Sequence, residues 1–417
     1  MKKLVENLIL KMSKPTKQKR LVRRKNGNFA PNEVSILGAK CSIISNLVNN
    51  SSKLLSSYRL AYFDASHEKD NEVNTLSEFI FHHEGNLTVK TTAPVNEYAQ
   101  RIQFSQFDFV FINGNHYSGN KQIVLLDPEK EVSINKRIDQ ITDIQFFIRL
   151  TENIEPFDSI KEKFENWKEI PSFYIDETDN IQEHIANLVS KTVPSLKGLV
   201  LAGGKSTRMG TDKTLIDYHG KPQKQFVKEL LENKEIETFY STRFSLNQPK
   251  EKKESIDFER EVVDSGSFAD CCPSDFIDPN DIIPHEPDEI PDAFINLGPF
   301  GGICSAFQKD PNSAWFVLAT DVPFVNEEII QLLLQKRNPS KVATALKGKN
   351  KKFVEPLITI YEPKAYPLLL QYLAQGYSCP RKMLINSDVE IVEVDDNFIR
   401  NINTPEDFKI AKNDIAK

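Results

Sequence analysis

The chain has 417 residues, 39% of them hydrophobic with 27 Phe, which is enough for two packed domains because single cores stop growing at roughly 250–300 residues. A formal net charge of −6 gives no general reason to expect nucleic-acid binding, and no apolar run approaches the roughly 18 residues of a membrane span. Five cysteines (Cys41, Cys271, Cys272, Cys304 and Cys379) include no spaced C-x-x-C pair, which argues against a disulfide framework or structural zinc.

Residues 1–30 are expected to be a solvated basic arm, with ten Lys or Arg before position 26. Glu6 interrupts the short apolar start and no small-residue cleavage site follows, so a soluble, cytoplasmic protein is expected. The first folded segment runs from Asn32 into Gly38, Lys40 and Ser42, and then into a helical pattern at Ile43, Ile44, Leu47 and Val48. It imitates a phosphate loop but is several residues too short to wrap a phosphate chain, so no working NTPase site is expected there. Further strands are predicted at Tyr58–Phe63, ending in Asp64, at Phe107–Ile112, ending at Asn113-Gly114, and from Gln122 to Leu126.

The string Asp108-Phe-Val-Phe-Ile-Asn-Gly-Asn-His116, followed by Lys121-Gln-Ile-Val, resembles the strand–Glu-Gly–strand segment of the MobB family, the P-loop GTP-binding adaptors of molybdenum cofactor synthesis. The resemblance implies a degenerate MobB-like α/β domain over residues 31–150. Asn113 stands where that family has Glu, so docking or substrate handling is implied for this half rather than GTP hydrolysis. His67, His82-His83 and His116 lack a spaced partner set and are read as ordinary polar residues. Residues 151–195, charged and carrying Pro156, Pro171 and Pro194, read as a linker with short helices at Ile160–Ile170 and Ile181–Val189.

The second unit spans 196–417. Its apolar opening, Leu199 to Ala202, reads as a buried parallel strand that ends in Gly203-Gly204 and gives way to Lys205, Ser206, Thr207, Arg208 and Lys213. Paired glycines let backbone N–H groups approach a bound group, and Arg208 and Lys213 can supply charge-assisted contacts to phosphate oxygens. A Walker loop ending at Ser206 would need glycine at 199, where Leu stands. Leu201-Ala-Gly-Gly-Lys-Ser-Thr-Arg-Met-Gly210, then Asp212-Lys213, instead resembles the LAGGxSxRMGxDK signature of the MobA family of molybdenum cofactor guanylyltransferases and their nucleotidyltransferase relatives.

A helix over Gln223–Leu231 and a strand over Ile236–Ser241, neighbouring the first strand, should follow. From Glu261 to Asp292 there are ten acidic residues, five prolines and no Lys or Arg, the composition of a mobile surface loop. Asp292, then Gly298-Pro-Phe-Gly301-Gly302-Ile, resembles the family's Asp…GPxxGI segment, in which a helix N-terminus favours an anion and the acid contacts nucleotide. The apolar strand Ala314–Thr320 ends in Asp321-Val-Pro323, a carboxylate at a strand's carboxyl end, where α/β ligands bind and where Mg²⁺ takes one or two carboxylates. Val342–Leu346 and Glu355–Tyr361 read as a strand pair beside the site, and Val389–Val394 as an edge strand. Arg381 and Lys382 suit either a phosphorylated second substrate or a solvated surface. Asn401-Ile-Asn403-Thr-Pro-Glu-Asp407 resembles the family's NxNTPEDL ending, with Asn403 or Thr404 capping the last helix.

Together these features predict an α/β protein in which a smaller P-loop-like α/β domain precedes a Rossmann-like nucleotidyltransferase domain with a mostly parallel sheet. The resemblance implies GTP plus Mo-molybdopterin giving a guanine dinucleotide cofactor and pyrophosphate in the cytoplasm. It implies Mg²⁺ on Asp321 and charge neutralisation by Arg208 and Lys213. A nucleotide cradle of Leu201, Ala202, Gly203, Gly204, Lys213, Asp292, Gly298 and Asp321 follows, with Arg381, Lys382, Asn401 and Asn403 facing the second substrate. Molybdoenzymes or cofactor-synthesis proteins are the expected partners, and neither nucleic acid nor membrane is. The same motifs admit a CTP-dependent cytidylyltransferase or a sugar- or polyol-phosphate nucleotidyltransferase. A non-catalytic carrier or adaptor of the pterin cofactor is the alternative of another class.

Overall fold

In the first domain, the central strands over 33–37, 109–113 and 122–126 are buried at every position rather than at alternate ones, because helices cover both faces of their sheet. A computed structural model describes residues 21–66, 77–83, 85–90, 96–203, 213–243 and 286–415. Strand β1 (Glu33–Leu37) is buried along its whole length, and it is followed by β2 (Leu60–Phe63), the antiparallel hairpin β3 (Glu78–Phe81) and β4 (Leu87–Lys90), then β5 (Phe109–Asn113), β6 (Gln122–Leu126), β7 (Ile144–Arg149) and β8 (Ser172–Tyr174). A parallel six-stranded sheet runs in the order β2-β5-β1-β6-β7-β8. Val34, Ile36, Phe109 and Phe111 face the helices Cys41–Leu54 and Thr178–Ser190, while Leu37, Val124 and Leu126 face Phe157 and Ile160 on the other side.

This corrects the expected linker. Residues 151–190 supply β8 and a 13-residue helix whose Ile181, Ile185 and Val189 are buried in the first core. The helix expected at Ile181–Val189 is present, and what the charged, proline-bearing composition hid is that its apolar face completes the first core. The helix expected over Ile160–Ile170 is two pieces, Asp158–Lys163 and a 3-10 turn at Trp167–Glu169.

The second domain holds β9 (Leu196–Leu201), β10 (Thr238–Thr242), β11 (Glu289–Pro291), β12 (Ala314–Ala319), β13 (Ala343–Gly348), β14 (Ile358–Tyr361) and β15 (Val389–Val394). These seven strands run in the order β11-β10-β9-β12-β14-β13-β15, parallel except for β14, which is antiparallel to both neighbours. Alternate residues of β12 enter opposite cores: Trp315 and Val317 pack under the helix Pro299–Lys309, and Phe316 and Leu318 under Glu327–Lys336. The described end of the acidic stretch is not a surface loop but β11, whose Ile290 is 3% exposed and pairs with Ser241. The rest of that stretch, like His67, Cys271, Cys272 and most of the basic arm, lies outside the described residues.

The two domains meet through buried charge. Lys364 Nζ lies 2.6 Å from Asp108 Oδ1 and 3.0 Å from the Ser340 carbonyl, and Asp108 Oδ2 accepts the Arg59 amide at 2.8 Å. Among the described residues no helix is long and apolar enough to cross a membrane.

Candidate active site

Parallel strands present their carboxyl ends to one edge of the sheet, so strand pairing decides which loops meet there. Leu201, the last residue of β9, pairs with Ala319 at the end of β12 and with Ser241 in β10. Adjacent strands lie about 4.8 Å apart, so Gly203 and Asp321, each two residues beyond a paired strand end, share one edge. The hydroxyl of Thr320 reaches the Leu201 carbonyl at 3.5 Å and reinforces that junction.

On the β9–β10 side, the Ala202 amide donates to the Ser241 carbonyl at 3.1 Å, and Arg243 Nε donates to the Gly203 carbonyl. The Ser241 hydroxyl donates to Asp292 Oδ1 at 2.9 Å, and the Asp292 amide donates to the Thr242 carbonyl at 2.8 Å. Burial raises the Asp292 carboxyl above the usual range, against the Ser241 hydrogen bond and the Arg243 charge. Gly298 precedes the helix Pro299–Lys309 at φ 57°, a backbone region that suits glycine. Behind it, Gly301 packs so closely that a Cβ would collide with the Phe294 carbonyl, two residues past Asp292. Gly301→Ala should therefore lower the unfolding free energy by about 1–3 kcal/mol, because backbone rather than a side-chain tip must move. Urea denaturation reads this, and an unchanged midpoint and slope would show that the loop yields freely.

The other side of the edge is acidic and cationic at once. The Asp321 carbonyl accepts the Ile402 amide at 2.8 Å, which draws Asn401 and Asn403 to the end of β12. His219 Nε2 donates to the Pro323 carbonyl at 2.9 Å and stacks on Phe226, and burial pushes its pKa down, so a neutral ring holds the Asp-Val-Pro turn. Glu355, 8% exposed, lies 3.4 Å from Arg381 Nη2. Its carboxyl is raised by burial above all, lowered by Arg381, raised again by the charge of Asp321 and lowered by a hydrogen bond from Asn401. A cleft of about 490 Å³ opens here, with Lys351, Lys352, Arg381 and Arg400 on its walls beside Glu355 and Asn401.

Several sequence-derived residues thus come together: Leu201, Ala202, Gly203, Asp292 and Gly298 around the β9–β10 loops, and Asp321, Arg381 and Asn401 at the β12 side. Lys382 departs from this group, since its ammonium sits over the Tyr377 ring at 5.0 Å. The Asn403 amide donates to Asp407 Oδ2 at 3.3 Å, and the Thr404 hydroxyl accepts the Asp407 amide, so Thr404 caps the last helix. Gly204 and Arg208 lie outside the described residues, as does the side chain of Lys213, whose backbone starts a 3-10 turn. From the sequence, Ser241-Thr-Arg243 is the end of a strand at which base or ribose contact is left open, and His219 is only part of a turn. A polar residue at a strand's carboxyl end was the available signal for Ser241.

Residues 198–268 and 278–390 match the MobA-like NTP transferase domain. The chain is 30% identical over 244 residues, 58% of its length, to the molybdenum cofactor biosynthesis bifunctional protein of Synechocystis sp., and spans 60% of that relative. It is 24% identical over 217 residues to the probable molybdenum cofactor guanylyltransferase of Flavobacterium johnsoniae, covering 51% of this chain and 95% of that protein. Among solved structures, molybdopterin-guanine biosynthesis protein B is similar over 38% of this chain and 99% of its own, at 18% identity and a TM-score of 0.27.

Proposed function

The second domain of this chain is a MobA-like NTP transferase domain, and from that premise we propose that the protein joins the nucleoside monophosphate of GTP to the terminal phosphate of Mo-molybdopterin, releasing pyrophosphate. The observation that carries this reading is the pairing of Leu201 with Ala319, which sets the glycine turn after β9 beside the carboxylate after β12. The names of the relatives, a molybdenum cofactor guanylyltransferase among them, support the choice of guanine.

The acceptor phosphate is already an anion, so no strong base is needed and the domain's contribution is positioning and charge neutralisation. The Gly203 amide and the helix after Gly298 face the nucleotide, with Asp292 and its Ser241 partner on the base or ribose. Arg208 and Lys213 offset charge developing toward pyrophosphate. The cleft of Arg381, Arg400, Lys351 and Lys352 takes the phosphorylated acceptor. Asp321, with Glu355 near enough for each charge to raise the other's cost, offers hard oxygen donors of the kind Mg²⁺ prefers. A bound Mg²⁺ would neutralise triphosphate charge.

Thermal unfolding with GTP, CTP, ATP and UTP, each with Mg²⁺, separates the base choices. GTP at a hundredfold excess over its Kd should stabilise the protein by about 2.7 kcal/mol, with less effect from the others. Pyrophosphate release on adding Mo-molybdopterin then identifies the acceptor. Preferred stabilisation by CTP would move the reading to a cytidylyltransferase. Release with a sugar or polyol phosphate in place of the pterin would overturn the acceptor, and no release with any acceptor would leave a carrier or adaptor.

A further inference from the structure

The first domain brings a thiol, an imidazole and a carboxylate together at the carboxyl ends of β1, β5 and β2, three neighbouring strands. After β1 the chain turns at Gly38, whose φ of 96° and contact with the Leu125 carbonyl leave no room for a side chain. The turn is short, so the helix Cys41–Leu54 begins with Cys41 itself, and no side chain caps it. A thiolate at the first residue of a 14-residue helix lies at the positive end of the helix dipole. His116, from the loop after β5, places Nε2 3.4 Å from Cys41 Sγ, and the same nitrogen lies 3.9 Å from Asp64 Oδ1. Asp64, after β2, is fixed by Asn113 Nδ2 at 2.9 Å and by the Tyr62 hydroxyl at 2.8 Å. Asn115 Nδ2 donates to the Ala39 carbonyl at 2.8 Å and points at Sγ from 3.8 Å.

We propose that Cys41 is a reactive thiolate site that exchanges with low-molecular-weight disulfides, with His116 as its proton acceptor and Asp64 as the carboxylate that stabilises the imidazolium once it forms. In the step, His116 takes the proton of Cys41. The thiolate then attacks one sulfur of RS–SR, forming a Cys41–S–S–R bond and breaking the RS–SR bond. The leaving RS⁻ collects the proton from the imidazolium as RSH. The site is open enough for a small reactant, since the side chains of His116 and Asp64 keep 22% and 29% of their exposure. The other described thiols, Cys304 and Cys379, belong to the second domain, Cys304 buried and Cys379 exposed, so the product within the described residues is a mixed disulfide.

The charges facing the thiol are mixed: His116 and the helix start favour the thiolate, Asp64 pairs with the imidazole, and Tyr62 stays protonated on Asp64. Lys40, next to Cys41, is 3.7 Å from Glu129, and Arg137 is tied to the Asn115 carbonyl. Burial alone would raise the Cys41 pKa, but hydrogen bonds from Asn113, His116 and Asn115 and the charge of His116 bring it below the usual thiol range.

The test uses the full chain treated with iodoacetamide across pH, and with oxidised glutathione at neutral pH, with peptide mass mapping of each cysteine. Cys41 should alkylate with a midpoint below the roughly 8.5 of a free thiol, and should take up glutathione while exposed Cys379 lags by about tenfold, the effect of one pH unit in thiolate fraction. His116→Gln should move the Cys41 midpoint upward and slow exchange about tenfold, and Asp64→Asn should move it in the same direction by less. Both variants are compared at matched unfolding midpoints, and Cys379 serves as the reference thiol inside each molecule. A Cys41 that reacts no faster than Cys379, a profile unmoved by His116→Gln, or fast alkylation without any glutathione adduct would each overturn the proposal.

Discussion

Replacing Asp321 by alanine should lower the rate of pyrophosphate release by roughly 10²- to 10³-fold, the scale of losing one preorganised electrostatic contact to a transferring phosphoryl group. The loss should appear mainly in kcat, because in the proposed reading the nucleotide is held by the Gly203 amide and the Asp292 side of the edge, which the substitution leaves in place. The same substitution should leave folding intact or strengthen it. Burial, then the charges of Asp321 and Asp407, push the Tyr218 hydroxyl up to about 12, and Asp321 also raises the buried Glu355 carboxyl. Removing Asp321 relieves its repulsion of Glu355, the pattern of a carboxylate kept at a cost to stability, whereas the Tyr218 hydroxyl is uncharged near neutral pH with or without it. Steady-state kinetics with GTP and the pterin acceptor, beside urea unfolding, reads the two effects separately. Full turnover in Asp321→Ala would sink the assignment of the edge. A collapse of stability with turnover per folded molecule unchanged would make Asp321 a structural residue.

The second large effect is on stability. Lys364→Met removes an ammonium whose side chain is 6% exposed and leaves Asp108, 9% exposed, without its cation across the domain boundary. Burial pushes the Lys364 pKa down, and the charge and hydrogen bond of Asp108 push it back up, so the pair is held by mutual compensation. Taking away one partner of such a pair costs about 3–5 kcal/mol, mostly the penalty of an uncompensated buried charge. The Ser340 carbonyl loses its donor as well. Denaturant unfolding should therefore shift strongly in Lys364→Met and split into two transitions as the domains uncouple. The double variant Asp108→Asn/Lys364→Met should recover much of the loss, since Asn keeps an acceptor for the Arg59 amide. A single variant within about 0.5 kcal/mol of the unmodified chain, the usual range for surface substitutions, would mean that water reaches the pair and screens it.

Strands with unbroken apolar runs were legible from their residues alone. Gln122–Leu126 and Val389–Val394 coincide with β6 and β15, since burial on both faces or strict alternation writes itself into adjacent positions. Within residues 151–190 the helix at Ile181–Val189 was legible, but its membership of the first domain, with β8, was not, because that depends on packing against β7 and the helix Cys41–Leu54. The short β11 hid for the same reason, inside an acidic stretch whose composition argues against any strand. Cys41, His116 and Asp64 each looked ordinary, being far apart in the chain.

The sequence by itself determined which side chains could carry chemistry: the glycine turn after Leu201, the acid at Asp321 and the cation at Arg381 follow from residue type and local spacing. Only the tertiary structure decided which of them meet. That β12 lies beside β9, that Asp321 faces Glu355, and that a short turn at Gly38 sets Cys41 against His116 all depend on strand order and register. Those are fixed by hydrogen bonds between distant segments, which no local periodicity encodes.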